Sequence, residues 1–493
     1  MRGTLLNPPN LFLYIVLLLY QILNIISHIF IYMQLTYGTA GFRYPEQIIL
    51  GIAYNIGQTC CVLSHQQQKP IGIMITASHN PYTDNGVKLM YYDGTMLSPE
   101  DEFFMLDSVQ KKVTYKSLVR KSTVIIGMDT RKSSEEIKQL IIRGIRNVDQ
   151  DPNIVDIGLV TTPELHHETF RYSNPGTLPY LNAYFSQISD LEYPHVVVDC
   201  ANGVGSLRMR DIVDKHKLQN NIFLHHTDIT QANLLNDKCG SDFVVSQGDS
   251  TFCMMDHVLH ASLDGDADRI VCYYSENGHF RLLDGDYISA LFAYYFYKRV
   301  NTLDLRVGVV HTAYANSRFL SFIHSLGFET RCTATGVKHL HRAAEDYDIG
   351  IYFESNGHGT VLLKHSYIDE DLSAFINPLI GDGVADVFAI CYVLQELDIS
   401  PKQWYGLFEK LPARTYKMVV KNKDIFKTNK DESRLITPTD LQPKLDEIMK
   451  SGCRVFIRPS GTEDIVRMHI EGTSMLDIEE TKTLVRFSMS KYI

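Results

Sequence analysis

The sequence has no CxxC pair among its nine cysteines, no low-complexity tract and no excess of basic charge. Without CxxC pairs the common zinc and redox motifs are excluded, and most cysteines lie in apolar, strand-like runs. We therefore expect reduced core thiols in a cytoplasmic protein. The formal net charge of −10 disfavours a general surface for polyanions, so we expect no nucleic-acid partner. A small phosphorylated substrate held by a few local arginines fits this composition better.

Charge is also missing near the N-terminus, where residues 11–33 form a run of 23 residues without Lys, Arg, Asp or Glu. That length can span a bilayer. Polar residues such as Gln21 and Asn24 interrupt the run, and the absence of an obvious small-residue cleavage site argues against a signal peptide. Three alternatives stay open for the extension 1–33: a membrane anchor, a translation start at Met33, or a hydrophobic helix packed on the first domain. We expect no membrane association unless the run is a real anchor.

From Thr36 onward, short runs rich in valine and isoleucine alternate with longer segments of helical period. The predicted strands are 71–75, 123–127, 194–199, 269–274, 305–310 and 350–353. This alternation predicts an α/β fold, in which ligands bind at the carboxyl ends of the strands. The sequence pattern changes near Ala413, which predicts a smaller α+β domain at the C-terminus.

The first candidate site is Ser78, in the segment Ile75-Thr-Ala-Ser-His-Asn-Pro81. The strand 71–75 should end just before it and Asn80-Pro81 should turn, so the hydroxyl is expected at a strand end facing a cleft. That position suits a nucleophile, with a purely structural serine as the alternative. Lys88, on a second apolar stretch, could reach the same cleft as a proton donor or acceptor, or could be a solvated surface lysine.

Three carboxylates, Asp264, Asp266 and Asp268, stand at alternate positions inside an otherwise apolar stretch. Such a density of negative charge needs a counter-ion, and carboxylate oxygens suit a hard cation such as Mg²⁺. The alternative is a solvated acidic turn. The segment Asp284-Gly-Asp286 matches this pattern less completely and is predicted to be only a turn.

Two later segments carry groups suited to a phosphorylated sugar. The segment Phe353-Glu-Ser-Asn-Gly-His-Gly359 brings together a carboxylate, an amide and an imidazole, which suit sugar hydroxyls. Near the C-terminus, two arginines, two hydroxyls and a glycine form a pattern typical of a phosphate cradle. This second group consists of Arg458, Ser460, Gly461, Thr462 and Arg467. A polar surface turn is the alternative for both segments.

In order and spacing, these motifs resemble those of the α-D-phosphohexomutase superfamily, from Tyr37 to about Tyr492. The segments Tyr37-Gly-Thr-Ala-Gly-Phe-Arg43 and Thr335-Gly-Val-Lys-His-Leu340 carry the same resemblance. At the position of Asn356, members that act on glucose or mannose phosphates usually have serine. The chain therefore resembles most the members that act on N-acetylhexosamine phosphates.

The resemblance implies three tandem α/β domains with mixed sheets plus a smaller C-terminal α+β domain around a central cleft. The implied domains are 34–175 with the phosphoserine loop, 176–287 with the metal loop, 288–400 with the sugar-recognition loop and 413–493 with the phosphate-binding loop. One departure is the hydrophobic run 11–33, since the superfamily normally begins with a polar helix.

The resemblance also implies an isomerase that interconverts N-acetylglucosamine 6-phosphate and N-acetylglucosamine 1-phosphate, for UDP-N-acetylglucosamine synthesis. Ser78 would carry the phosphoryl group, and a bisphosphate sugar would be the primer or intermediate. One Mg²⁺ per chain would be bound by Ser78 and the three carboxylates, Asp264, Asp266 and Asp268. Arg43 and Lys88 would flank the transferred group, with Lys88 and His79 handling protons.

The implied substrate-binding residues are Arg269, Gly336, Glu354, Asn356, His358, Arg458, Ser460, Gly461, Thr462 and Arg467. The expected partner is a small phosphosugar, and the expected assembly is a monomer or weak dimer in the cytoplasm. Two alternatives remain: a mutase of glucose or mannose phosphates, and a phosphosugar-binding protein without turnover. The presence of Ser78 together with all three aspartates argues against a binding protein without turnover.

Overall fold

The computed structural model describes residues 35–38, 41–116, 121–186, 188, 195–250, 255–300, 305–460 and 465–493. The N-terminal extension 1–33 lies outside the described residues, so the three alternatives for it stay predictions.

The first sheet carries the serine segment. Its strands are β1 (Phe42–Pro45), β2 (Ile71–Ile75), β3 (Asp84–Tyr91), β4 (Thr123–Met128) and β5 (Asn153–Leu159). In the spatial order β1-β3-β2-β4-β5, β2 is antiparallel to β3 and parallel to β4. The helices of this unit are Glu46–Gln67, Pro99–Gln110, Ser134–Val148 and Thr162–Ser173.

The helix Glu46–Gln67 is the one described helix long and apolar enough, by length and composition, to cross a membrane. Of its apolar window, 67% is buried inside the protein. It crosses the helix Ser134–Val148 closely: a Cβ on Gly57 would lie 2.1 Å from the Ile141 carbonyl oxygen. This burial is what a core helix of the first sheet requires.

The second and third sheets repeat the spatial arrangement of the first. The second contains β6 (Val196–Asp199), β7 (Ile222–His225), β8 (Leu259–Leu263), β9 (Ile270–Glu276) and β10 (His279–Leu283). The third contains β11 (Val307–Thr312), β12 (Glu329–Thr333), β13 (Ile349–Phe353) and β14 (Gly359–Leu363). In each of the three sheets an antiparallel strand is followed by three parallel strands: β3-β2-β4-β5, β9-β8-β6-β7 and β14-β13-β11-β12.

This repetition places three predicted motifs at equivalent positions. Residues 76–83 connect β2 to β3, residues 264–269 connect β8 to β9, and residues 354–358 connect β13 to β14. Each connection leaves the carboxyl end of a parallel strand, where open α/β sheets bind ligands. The serine, the carboxylates and the residues suited to sugar hydroxyls therefore lie on three structurally equivalent loops, one in each sheet.

Helices cover these sheets, and a smaller unit completes the chain. Further helices are Tyr180–Tyr184, Gly205–Lys215, Ser241–Gln247, Gly285–Val300, Ser317–Ser325, Val337–Ala344, Glu370–Ser373, Gly383–Leu397 and Pro401–Tyr405, with 3₁₀ turns at Ala232–Leu234, Ser366–Ile368 and Lys423–Ile425. The C-terminal unit contains β15 (Ala413–Val419), β16 (Lys427–Thr428), β17 (Leu435–Thr437), β18 (Arg454–Pro459) and β19 (Ile465–Glu471), and the helices Gln442–Met449 and Met475–Ser488. Its main sheet is antiparallel, in the order β15-β19-β18.

The predicted fold class is confirmed, with three α/β units on mixed sheets and a smaller α+β unit. All six predicted strands are present, with ends within two residues of those predicted. One hydrophobic core runs through both the second and the third unit, from Val198 in β6 to Val309 in β11. A boundary between residues 287 and 288 would cut the helix Gly285–Val300, which belongs to this shared core.

Candidate active site

Ser78 lies buried at the end of β2, in contact with the carboxylate loop of the second unit. Its Oγ donates to Asp264 Oδ2 at 2.7 Å, and its backbone N–H donates to Thr76 Oγ1 at 2.8 Å. The backbone at Ser78 is left-handed, with φ 54°. The predicted strand end is therefore also a junction between two units, which no local pattern revealed.

Lys88 is buried and faces the same carboxylate loop. It lies on β3 opposite Met74 of β2, and its Nζ is 2.6 Å from both Asp266 Oδ2 and Asp268 Oδ2. Thr162, at the start of a helix of the first unit, also donates to Asp266 Oδ2, at 2.5 Å. The alternative of a solvated surface lysine is wrong.

The three aspartates converge, with one oxygen of each within 4.8 Å of the others. Burial, then the neighbouring carboxylates, raise the pKa of Asp264 well above its ordinary value. Burial acts in the same direction on Asp268, but Lys88, His358 and Arg269 hold the pKa of Asp268 well below its usual range. Three carboxylates this close together disfavour a full set of negative charges, which a bound cation would favour again.

The donor set fits a hard divalent cation. Asp266 Oδ1 and Asp268 Oδ1 are buried and have no hydrogen-bond partner among the described residues. Three converging carboxylates together with a serine oxygen are the oxygen ligands that Mg²⁺ prefers.

Two arginines and a histidine lie beside this cluster. Arg269 Nη1 is 3.2 Å from Asp242 Oδ1, and its Nε is 3.7 Å from both Asp264 Oδ2 and Asp268 Oδ1. Burial, followed by the charge of Arg269, lowers the pKa of Arg43. His79 Nε2 lies 3.4 Å from Asp242 Oδ2, and burial lowers the pKa of His79 well below its usual value, so this imidazole is neutral at pH 7.

The third loop presents its side chains around the end of β13. Glu354 Oε1 accepts from the backbone N–H of Gly336 at 3.1 Å, and burial raises the pKa of Glu354. Asn356 Oδ1 accepts from the backbone N–H of His358 at 3.1 Å. Burial lowers the pKa of His358 to about 4, and its Nε2 has no partner among the described residues, so the imidazole is neutral near pH 7.

The fourth group lies on the C-terminal sheet, where Arg458 and Arg467 are paired across β18 and β19. Arg458 Nε donates to the hydroxyl of Tyr314 in the third unit, at 2.9 Å. The backbone N–H of Ser460 donates to the Ile465 carbonyl at 2.9 Å and closes the hairpin. Gly461 and Thr462 lie outside the described residues, so their part in the cradle stays a prediction.

The third and fourth groups face one another across a cleft of about 510 Å³. Glu354, Asn356, Arg458 and Arg467 all line it. The cleft is therefore lined both by groups suited to sugar hydroxyls and by groups suited to a phosphate. A cleft of this size suits a small phosphorylated molecule.

The prediction that Asp284-Gly-Asp286 is only a turn is wrong. Lys410 Nζ lies 2.6 Å from Asp284 Oδ2 and 2.6 Å from Asp286 Oδ2, and all three residues line the same cleft. The two carboxylates face the segment just before the C-terminal unit. Lys410 is far away in the sequence, so no local pattern pointed to this pairing.

Arg131 and Asp129 belong to the surroundings of the serine loop, and the sequence motifs did not reveal them. They follow β4, the parallel neighbour of β2, and their side chains form an ion pair with Nε 3.0 Å from Oδ2. Polar residues at the carboxyl end of a neighbouring strand are the signal that could have found them. Asn236, which also contacts this loop, has no comparable signal.

Neutral buried histidines make the stability of the fold sensitive to acid. Burial lowers the pKa of His166 to about 4, below the ordinary 6.5. Between these values the unfolded chain binds a proton that the folded chain does not, so stability falls as the pH drops from 6.5 towards 4.

We expect His166→Gln to shrink the difference in unfolding free energy between pH 7 and pH 5 by about 1 to 2 kcal/mol, because the titrating group is gone. Urea denaturation at both pH values measures this. His365→Gln, at an exposed position, is the matched control and should leave the difference unchanged. The expectation would be contradicted if the difference in unfolding free energy between pH 7 and pH 5 were the same in wild type and His166→Gln.

Comparison with known proteins gives consistent matches along the chain. The family models matched are "Phosphoglucomutase/phosphomannomutase, alpha/beta/alpha domain I" over residues 58–116 and 110–178, "Phosphoacetylglucosamine mutase AMG1, domain III" over 284–370, and "Phosphoglucomutase/phosphomannomutase, C-terminal domain" over 412–486. The phosphoacetylglucosamine mutase of Candida albicans is 34% identical over 91% of this chain and 95% of its own length. Phosphoacetylglucosamine mutase 1 of Schizosaccharomyces pombe is 35% identical over 90% of this chain and 97% of its own length.

Solved structures are similar over the same extent. The N-acetylphosphoglucosamine mutase of Aspergillus fumigatus in complex with GlcNAc-6P and magnesium is 30% identical, with a TM-score of 0.86, over 93% of this chain and 96% of that one. A serine-to-alanine variant of the Aspergillus enzyme in complex with glucose 1,6-bisphosphate has a TM-score of 0.84, with 30% identity over 93% of this chain and 96% of that one.

Proposed function

The chain belongs to the phosphoacetylglucosamine mutase family, and from that premise we propose that Ser78 carries the phosphoryl group that is exchanged between positions 6 and 1 of N-acetylglucosamine. One observation carries the proposal: the Ser78 hydroxyl, three converging carboxylates and the Lys88 ammonium meet at a single point. The complexes of the Aspergillus relative with GlcNAc-6P, magnesium and a bisphosphate sugar support it.

In the forward step, phosphorylated Ser78 transfers its phosphoryl group to the free hydroxyl of a bound sugar monophosphate. The bond from phosphorus to Ser78 Oγ breaks, a bond to the sugar oxygen forms, and the hydroxyl proton leaves. The bisphosphate sugar then reorients, and Ser78 Oγ takes the phosphoryl group from the other end while that sugar oxygen regains a proton. Lys88 and His79 are our candidates for moving these protons, since the neutral His79 can accept one and the Lys88 ammonium can donate one.

Asp264, Asp266 and Asp268, together with Ser78, would hold one Mg²⁺ per chain, which supplies positive charge to a phosphoryl group in transfer. Arg43 and Arg269 add fixed positive charge beside the same cluster. Positioning and electrostatic stabilisation are the main contributions a protein makes to phosphoryl transfer.

The sugar and its second phosphate are assigned to the 510 Å³ cleft. Glu354 and Asn356 would bind hydroxyl and acetamido groups, with Gly336 and His358 holding the shape of this loop. Arg458, Arg467, Ser460 and the neighbouring 461–462 would bind the phosphate that is not reacting.

Substrate choice tests the proposal. With Mg²⁺ and a bisphosphate primer, kcat/KM should be at least about tenfold higher on N-acetylglucosamine 6-phosphate than on glucose 6-phosphate, because a site built for an amide rejects ligands that leave it unpaired. In Asn356→Ser the ratio should fall towards one. Coupled assays on both sugars measure it.

Asn422→Ser, an exposed capping asparagine on the C-terminal unit, is the matched control and should keep the wild-type ratio. Equal activity on both sugars would favour a mutase of ordinary hexose phosphates. No turnover on either would favour a phosphosugar-binding protein without catalysis.

A cytoplasmic location and a monomeric or weakly dimeric state are also part of the proposal. Eight free cysteines among the described residues support a reducing compartment, and the net charge of −10 favours a monomer. The hydrophobic run 11–33 is the feature that argues for a membrane. Fractionation of cells that express the full chain, with a version starting at Met33 beside it, would decide the location.

A further inference from the structure

Ser78 has a left-handed backbone, with φ 54°, which a residue with a side chain rarely adopts. Such a conformation persists only where the surroundings hold it in place. Its N–H donates to Thr76 Oγ1. Its carbonyl oxygen accepts hydrogen bonds from two side chains, Arg131 and Asn236. The two donors come from different units of the fold.

Arg131 holds the serine loop to its own sheet. Its guanidinium donates to the carbonyl oxygens of Ser78 at 2.8 Å, Asn80 at 2.8 Å, Pro81 at 2.6 Å and Asp84 at 2.8 Å. Both Arg131 and its ion-pair partner Asp129 are buried. Arg131 therefore holds the internal shape of the loop through contacts that lie entirely within the first unit.

Asn236 reaches the same carbonyl from the second unit. Its Nδ2 lies 2.8 Å from the Ser78 carbonyl oxygen and 3.2 Å from that of Asn80. Its backbone N–H donates to the Ala201 carbonyl at 3.0 Å, which ties it to the end of β6. β6 lies beside β8, whose end carries the three carboxylates.

The carboxylate loop touches this contact directly. A Cβ on Gly265 would lie 2.7 Å from the Ser78 carbonyl oxygen and 3.0 Å from Asn236 Nδ2. The Ser78 peptide, the Asn236 amide and the loop between Asp264 and Asp266 are thus packed without space between them. The Asn236 amide and the carboxylate loop both belong to the second unit, and both contact the Ser78 peptide.

We propose that Asn236 is a positioning residue that fixes the Ser78 carbonyl against the carboxylate loop, so that Oγ and its phosphoryl group stay aligned with Asp264 during transfer. The inference rests on the proposed role of Ser78 as the phosphoryl carrier. Arg131 keeps the loop folded, and Asn236 sets its position relative to the second unit.

Asn236→Ala tests this, together with Asn236→Asp, which places an oxygen against two carbonyl oxygens. We expect kcat to fall about 10- to 100-fold in both, because small misplacements of a reacting group are costly. KM for N-acetylglucosamine 6-phosphate should stay within about twofold, since the groups that line the 510 Å³ cleft are untouched. Asn236→Gln keeps an amide donor and should recover part of the kcat.

Gln231→Ala is the matched control. It lies on the same loop, is exposed, and its amide contacts Asp228 at 2.7 Å. It should retain wild-type kcat. Circular dichroism and thermal unfolding give the folded fraction of each variant, to which rates are normalised.

Wild-type kcat in Asn236→Ala, a loss confined to KM, or a loss that vanishes after normalisation would each overturn the positioning role while leaving the proposed function intact. An inactive wild-type protein in the same assay would instead overturn the proposed function, and this inference with it. Partial recovery in Asn236→Gln, with wild-type KM throughout, supports the inference.

Discussion

Ser78→Ala is expected to lower mutase turnover more than about 10³-fold, because it removes the atom that carries the phosphoryl group between the two ends of the sugar. Alanine cannot make the 2.7 Å hydrogen bond from Oγ to Asp264, so unfolding free energy should fall by about 1 to 2 kcal/mol. The left-handed backbone is as accessible to alanine as to serine. Steady-state turnover and urea denaturation measure the two effects separately.

Mass spectrometry adds a direct readout. Incubation with glucose 1,6-bisphosphate should add one phosphoryl group to the wild-type protein and none to Ser78→Ala. Ser246→Ala, at an exposed position where the hydroxyl donates to the Phe243 carbonyl at 3.1 Å, is the matched control and should behave as wild type. Wild-type turnover in Ser78→Ala would rule out a phosphoserine mechanism for this chain.

Lys88→Met is expected to cost about 3 to 5 kcal/mol of unfolding free energy, because it leaves two buried carboxylates without their ammonium partner. The side chains of Lys88, Asp266 and Asp268 are 6%, 0% and 2% exposed, so water cannot take the place of the ammonium. Methionine keeps the unbranched apolar stem and removes only the charge. Turnover should also fall, by at least about 10²-fold, because fixed positive charge beside the transferred phosphoryl group is removed.

Urea denaturation without added metal measures the stability change. Lys111→Met is the control: its ion pair with Asp107 is exposed, at 66% and 39%, and should contribute no more than about 1 kcal/mol. Adding Mg²⁺ should narrow the gap between wild type and Lys88→Met if the same carboxylates bind it. A loss below about 1 kcal/mol for Lys88→Met would show that the cluster does not depend on this lysine.

Local sequence patterns predicted the strands because a buried strand needs an unbroken apolar run and ends where polar residues begin. The run 71–75 and the strand β2 coincide for this reason. The same reasoning located Glu354 at the carboxyl end of its strand, 350–353. It placed the carboxylates only before the strand 269–274, because β8, the strand that ends just before Asp264, is not among the predicted strands. It could equally have found Arg131 after β4, since that position obeys the same rule.

Contacts between distant segments could not be predicted in this way. The burial of Lys88 between Asp266 and Asp268, the pairing of Lys410 with Asp284 and Asp286, and the shared core of the second and third units depend on how whole sheets pack. The resemblance to a known superfamily implied that Ser78 and the three aspartates share one Mg²⁺, but it did not indicate the ion pairs of Lys88 or Lys410. Asn236 illustrates the limit, because its importance lies entirely in a contact 158 residues away along the chain.

The sequence by itself determined the chemical groups and their order along the chain: a serine after one strand, three carboxylates just before another, a carboxylate, amide and imidazole after a third, and arginines near the C-terminus. Only the tertiary structure decided that the first three stand on equivalent loops of repeated sheets, that Ser78 contacts the carboxylates, and that Glu354 and Asn356 share a cleft with the arginines. The physical reason is that side-chain composition and period are local properties, whereas the distance between two loops is set by sheet topology and by the packing of one unit against the next.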